Sequence, residues 1–435
     1  MVPFSNILVT SGPRFLGRLI SQRWTPARLA RCQEARLEET LRAAMRIPFY
    51  RERFRRTPSA RDLPGLPVLG REDISALNRS VRGLHPDRAS FIADTSSGTT
   101  GEQAEFLFDE SHQRGRYASR LRWLLDNGWN PLARSAWIIF IPAWMADMRP
   151  VEHRFFAGSR FLSIFTGEKE QIDWLCRLDP HFLVTYPSNL EALLDRVEAE
   201  GARPASLRRV FTWAELLHQD VRSRTRRVLG VPVSDIYGSA EAGLAWECRK
   251  GAYHQESEHV LLELVDDRNR PVGPGQVGKI LVTTLENRLM PLIRYEIGDY
   301  AVPGQGACLC GRGLPLLDRI AGRPRDYLSI GTGQVAPARL LALCLGRIPG
   351  MPQYEMVQTE PLHFLFRHVS PDRLSDPMQQ AIRKTLGSTL GHEPDIDWIR
   401  VPDLPKSRTG KVDRIFSLVT RTLPANPSFL DEPAS

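Results

Sequence analysis

The chain has 435 residues, 42% apolar and 25% charged, the composition of a soluble globular protein with room for two or three packed units. Its net charge of +8 is carried by scattered arginines, not by a basic stripe interleaved with aromatics. Nucleic acid is thereby excluded as the expected partner, whereas attraction for a small polyanion is retained. Six cysteines in so long a chain do not make a disulfide framework.

Met1 to Val9 lacks a basic start and a long apolar core, so no secretory signal is read there. The longest apolar run, Ala136 to Ala146, is about half a membrane span and holds Pro142. A cytoplasmic location with no membrane span is expected, and a homodimer is left open.

In chain order, residues 1–60 read as helical. Phe15, Leu16, Leu19 and Ile20 make an apolar stripe, with Arg14, Arg18 and Arg23 on the other side. A helix packed on its own domain is preferred over one lying on a membrane surface. After the strand-like Ser90-Phe91-Ile92-Ala93 comes Thr95-Ser96-Ser97-Gly98-Thr99-Thr100-Gly101, whose small residues let backbone N–H groups curl around phosphate oxygens. No Gly-Lys-Ser/Thr follows, so it is not a Walker A loop. The alternative is a flexible linker.

Trp137 to Ile141 reads as a buried strand. Trp144, Phe155, Phe156, Phe161 and Phe165 crowd the following segment, more as core than as assigned ligands. Leu183 to Ser188 and Val210 to Glu215 are strand-then-turn units. A helix over Gln219–Leu229 and a strand from Val231 complete a βαβ repeat of a parallel sheet.

That strand enters Ile236-Tyr237-Gly238-Ser239-Ala240-Glu241. A flat ring, a bare backbone and a carboxylate within one turn suit a nucleotide base, its phosphates and a magnesium ion. An ordinary turn after a strand is the plain alternative.

Cys248 and His254 are followed much later by Cys308 and Cys310. Three thiols and one imidazole form a closed, soft set suited to structural zinc, and unliganded cysteines are the alternative. Cys32, Cys176 and Cys344 read as small apolar packers.

Val260 to Val265 and Gly278 to Thr284 alternate as strands of a β-rich subdomain. In Arg294-Tyr295-Glu296-Ile297-Gly298-Asp299 the carboxylate of Asp299 can accept both hydroxyls of a ribose, unless it is merely an exposed turn acid. The rest mixes helices (Pro337 to Leu345, Pro377 to Leu390) with strands (Glu355 to Thr359, His363 to His368). Near the end, Pro405-Lys406-Ser407-Arg408-Thr409-Gly410-Lys411 is a polar loop whose Lys411 can neutralise charge on reacting groups. Pro424 to Ser435 reads as a frayed tail.

These four motifs (95–101, 236–241, 294–299 and 405–411) stand in the order shown by acyl-adenylate-forming enzymes, the superfamily of acyl-CoA synthetases, luciferase and adenylation domains, which the chain resembles. Ile47-Pro48-Phe49-Tyr50 and Leu66-Pro67-Val68-Leu69 resemble the opening of its phenylacetate–coenzyme A ligase and capsule-biosynthesis branch. Some members of that branch carry Cys and His where this chain has 248, 254, 308 and 310.

The resemblance implies an α/β fold with a large ATP- and acyl-binding domain over 1–320 and a small α+β lid over 321–435. It implies ATP and Mg²⁺ as cofactors and a small carboxylic acid, aryl or arylacetic, as substrate. Coenzyme A is the implied acceptor, with an amine or carrier-protein thiol as the alternative and a binding homologue without turnover as another. By position, Ser96 to Gly101 would hold phosphates, Ala214-Glu215 with Tyr237, Gly238 and Ser239 the adenine, and Glu241 the magnesium. Asp299 would hold the ribose, Arg323 the ribose or a phosphate, Lys411 would act in catalysis, and Asp326 would be the hinge. Two departures stand out. Glu102 replaces the usual lysine after the phosphate loop, and Gly331-Thr332-Gly333-Gln334-Val335 replaces the family's glycine followed by Val-Asn-Val beside the acceptor channel.

Overall fold

The structure, a computed structural model, describes residues 4–85, 91–95, 104–140, 158–331, 334–346, 348–404, 414–426 and 430. The chain divides into two compact units. One comprises Met1–Glu263, Leu281–Ile297 and Gly304–Asp318, and the other Leu264–Ile280, Gly298–Pro303 and Arg319–Ser435.

The first unit is built on parallel strands. Ser159–Ser163, Ser135–Ile139, Phe182–Thr185, Arg209–Trp213 and Val233–Gly238 lie side by side in that order. Gly243–Glu247 and Tyr253–Gln255 continue the sheet antiparallel. Parallel neighbours need crossovers, and Glu168–Leu178, Pro187–Glu200 and Gln219–Leu229 supply helical ones. The last ends at Gly230 with φ +74, a left-handed cap that turns the chain back into the sheet. Every residue of Ser135–Ile139 is buried, as expected of a strand covered on both faces. Trp123, Ile138, Val184, Phe211 and Trp246 pack together in the core.

Two expectations about packing are corrected. On the helix Phe4–Ser21 it is Arg18 that is buried, at 3% exposure, while Leu16 and Ile20 are 60% and 62% exposed. Arg18 faces inward because Glu256, Glu258 and Glu286 are buried there and need a cation. Cys344 is exposed on the helix Ala338–Leu345, so it is no core packer, while Cys176 does pack against the core.

In the second unit a four-stranded sheet runs Asp395–Arg400, His363–Val369, Gln353–Glu360, Ile415–Ser417. Leu341, Ile382 and Leu386 pack on Met356, Phe364 and Phe366 from the helices Ala338–Leu345 and Asp376–Leu390. The architecture is α/β, as expected. Among the described residues no helix is long and apolar enough to cross a membrane.

Candidate active site and metal centre

Strands Ser135–Ile139, Phe182–Thr185, Arg209–Trp213 and Val233–Gly238 run in one direction, and their carboxyl ends open the edge where such sheets bind ligands. The residues that leave them are Phe140, Tyr186, Ala214 and Ser239. Ala214 sits at φ +68, a conformation an alanine adopts only under constraint. The Glu215 carboxylate fixes the turn by accepting from the Ser188 backbone N–H at 2.9 Å and the Ser188 hydroxyl at 3.1 Å.

Beside it, the Val233–Gly238 strand bulges and doubles back, with the Ser239 N–H donating to the Ala242 carbonyl at 2.9 Å. A Cβ on Gly238 would stand 3.0 Å from that carbonyl oxygen, so the bare backbone has a packing reason of its own. The Ser239 hydroxyl is buried with no hydrogen-bond partner among the described residues. Glu241 is 5% exposed and accepts from the Tyr295 hydroxyl at 3.4 Å, so two of the sequence motifs meet. A carboxylate held at this turn is of the chemical type that binds a hard cation.

Arg116, from the helix Glu110–Asp126, links this turn to the strand before the Ser/Thr/Gly loop. Its guanidinium donates to the Ala240 carbonyl at 3.4 Å and stands 3.6 Å from the Asp94 carboxylate. Residues 96–101 and Lys411 lie outside the described residues, as do Trp144, Phe155 and Phe156.

In the second unit, Asp299 follows Gly298 at φ +84, and its carboxylate accepts from the Arg323 Nε at 3.0 Å. The Asp326 carboxylate accepts from the Arg323 backbone N–H at 3.0 Å, capping the short turn Pro324–Asp326. The structure therefore joins Asp299, Arg323 and Asp326 locally.

The four metal-ligand candidates converge. The ligand atoms of Cys248, His254, Cys308 and Cys310 all lie within 4.8 Å of one another. The Cys248 and Cys308 sulfurs are 3.7 Å apart, close to the ~3.8 Å that two thiolates span across a tetrahedral zinc, and Cys310 Sγ is 3.2 Å from His254 Nε2. Pairing of Leu316 with His254 brings the two segments together. Gly251 and Gly311, at φ +80 and +76, turn the chain beside Cys248 and Cys310. Burial pushes the Cys248 thiol up to about 12 and holds the His254 imidazole down at about 4, so His254 is in the neutral form that ligates metal.

Sequence reading missed a buried ionic network in this unit. Arg122 is fully buried and pairs with Glu258 at 2.8 Å and Glu256 at 2.7 Å, while Arg18 pairs with Glu286 at 2.9 Å. His259 shares Glu286 at 2.8 Å, and the Ser21 and Ser119 hydroxyls donate to Glu258 and Glu256. Burial alone would raise the Glu258 carboxyl, but Arg122 and Arg18 outweigh it and hold it at about 2. The signal was the run Glu256-Ser257-Glu258-His259 set directly before an apolar strand.

Residues 84–287, a little under half of the chain, match the AMP-binding enzyme family. The phenylacetate-coenzyme A ligase of Thermus thermophilus is 28% identical over 270 residues, covering 55% of this chain and 60% of that protein. That of Escherichia coli is 26% identical over 283 residues, covering 60% and 63%. The chain thus spans about three fifths of the length of these relatives. The solved 2-hydroxyisobutyryl-CoA ligase in its postadenylation state with 2-HIB-AMP shares the fold, with a TM-score of 0.69 at 19% identity over 91% of each chain. Motif order and family match agree: over residues 84–287 the chain is similar to AMP-binding enzymes of the acyl-adenylate-forming superfamily, and its curated relatives named here are phenylacetate–coenzyme A ligases.

Proposed function

We propose that this protein uses ATP to activate a carboxylic acid as an acyl-adenylate and then transfers the acyl group to coenzyme A. The observation that carries the reading is the strained Ala214 turn beside the buried Glu241 and the unpartnered Ser239 hydroxyl, at the carboxyl edge of a parallel sheet. The T. thermophilus and E. coli relatives bear the name of such a ligase, with phenylacetate as the acid. Trp213, at the end of its strand, meets the Trp137 ring, which meets Phe161, and this run of rings supports an aryl or arylacetic substrate.

In this reading the substrate carboxylate attacks the α-phosphate and pyrophosphate leaves. The chain's work is positioning and charge neutralisation. Ser96 to Gly101, following Thr95, hold phosphates; Ala214, Glu215, Tyr237, Gly238 and Ser239 hold the adenine; Asp299 and Arg323 hold the ribose. Lys411 neutralises the carboxylate and α-phosphate as they react, and the small domain, 321–435, turns about Asp326 to admit the acceptor. Magnesium held by Glu241 would supply further neutralisation of the phosphates. Zinc held by Cys248, His254, Cys308 and Cys310 would be structural, since four protein ligands leave no open position.

The altered 331–335 turn favours, as a second reading, an amine or carrier-protein thiol as acceptor. Pyrophosphate release across a panel of aryl, arylacetic and aliphatic acids tests the first step, and coenzyme A addition the second. Lys411→Ala should slow release by about 10²–10³-fold while ATP binding and Tm stay near the parent's, as for one lost charge-stabilising donor. Equal release by the variant would remove Lys411 from the chemistry.

A further inference from the structure

Arg116 and Arg120 are one helical turn apart on Glu110–Asp126, with Cβ atoms of such a pair ~6 Å apart. They differ in company. Arg116 has the Asp94 carboxylate at 3.6 Å and the Ala240 carbonyl at 3.4 Å. Arg120 is only partly exposed, yet among the described residues no carboxylate pairs with it and no hydrogen bond engages it. Its guanidinium lies over the Trp213 ring, 5.1 Å from the centroid.

Trp213 is the residue before the strained Ala214 turn, and its ring meets Trp137, which in turn meets Phe161. A cation on an aromatic wall is attracted to the ring face, but that attraction does not replace a counter-ion once water is displaced. Burial and the neighbouring Arg116 hold the Arg120 guanidinium down to about 10, while Asp94, Tyr117 and Tyr186 offset this only in part. It stays charged at neutral pH, and among the described residues no carboxylate forms an ion pair with it. The buried Arg18 and Arg122 of this unit each have one.

We infer that Arg120 is a specificity-determining residue whose missing partner is a second anionic group on the substrate, so that the acid activated is an aromatic dicarboxylate or its equivalent. This rests on the adenylating reading above. The reacting carboxylate belongs beside Glu241 and the Ala240 carbonyl that Arg116 touches. Arg120 stands one turn further along, against the aromatic wall, where the far end of a substrate ring would lie. A planar guanidinium can grip that second carboxylate with two parallel hydrogen bonds while its face remains on Trp213.

The test compares matched acids, benzoate with benzene-1,4-dicarboxylate and phenylacetate with 4-carboxyphenylacetate, by pyrophosphate release and by calorimetric binding to the full chain. The parent should favour the dicarboxylate of each pair, and Arg120→Gln should lower that preference by about 10²-fold with KM for ATP unchanged, because a site built for a polar group rejects the analogue without it. Arg120→Lys, which keeps the charge but not the fork, should restore part of the preference and serves as the folding control. A parent that binds both members of each pair alike, or variants that weaken both alike, would overturn the inference. Should no acid release pyrophosphate while dicarboxylate binding still depends on Arg120, the inference stands and the adenylating reading falls.

Discussion

At Asp235 burial works strongly against charge. It lies on the strand into the Tyr237–Glu241 turn, 3% exposed, and burial pushes its carboxyl up to about 7 although the Thr212 and Tyr253 hydroxyls donate to it at 2.6 and 2.8 Å. A carboxyl raised from its unfolded value of about 3.9 favours folding below that value, and the advantage is lost as pH rises through about 7. The swing is on the order of 4 kcal/mol. Asp235→Asn should therefore flatten the fall in Tm between pH 5 and pH 8 that the parent shows. The same slope in parent and variant would mean that Asp235 ionises freely. None of this was legible in the sequence, where Asp235 is one acid among apolar neighbours and its depth depends on strands that pair from elsewhere.

At the scale of elements, periodicity found the helix Gln219–Leu229 and the strands Val260–Val265 and Gly278–Thr284 with their observed bounds, because capping and turn residues mark them. It found the helix Phe4–Ser21 but chose the wrong buried face, because hydropathy assumes that a core is apolar and this helix packs on three carboxylates. The Cys/His set was legible as a set, and the convergence of its ligand atoms depends on the Leu316–His254 pairing. If zinc is held there, its loss should loosen the clip between Tyr253–Gln255 and the 308–310 turn before touching chemistry. Elemental analysis should find close to one zinc per chain, and Cys310→Ser should lower zinc content and Tm together. Cys176→Ser, which alters a core-packing thiol outside the set, should leave the zinc content unchanged. Protein prepared without chelator and free of zinc would end that assignment.

For the molecule as a whole, the four ordered motifs made the family resemblance and the α/β class readable, since each motif is a short run whose chemistry is local. The packing division was less readable. The second unit draws in Leu264–Ile280 and Gly298–Pro303 as well as the residues after Arg319, and only contacts distant in sequence reveal that. Asp326 lies within that unit, and besides accepting from the Arg323 N–H it donates its own N–H to the Arg323 carbonyl at 2.9 Å. A hinge variant must therefore be separated from a broken cap. Asp326→Pro removes both bonds and fixes φ, whereas Asp326→Asn keeps an acceptor and the N–H. If Asp326 is the pivot, the proline variant should change pyrophosphate release and thioester formation unequally, by about tenfold or more in their ratio, and the asparagine variant should leave the ratio near the parent's. Equal losses in both half-reactions, with a lowered Tm, would assign Asp326 to the cap alone and move the hinge elsewhere in the chain.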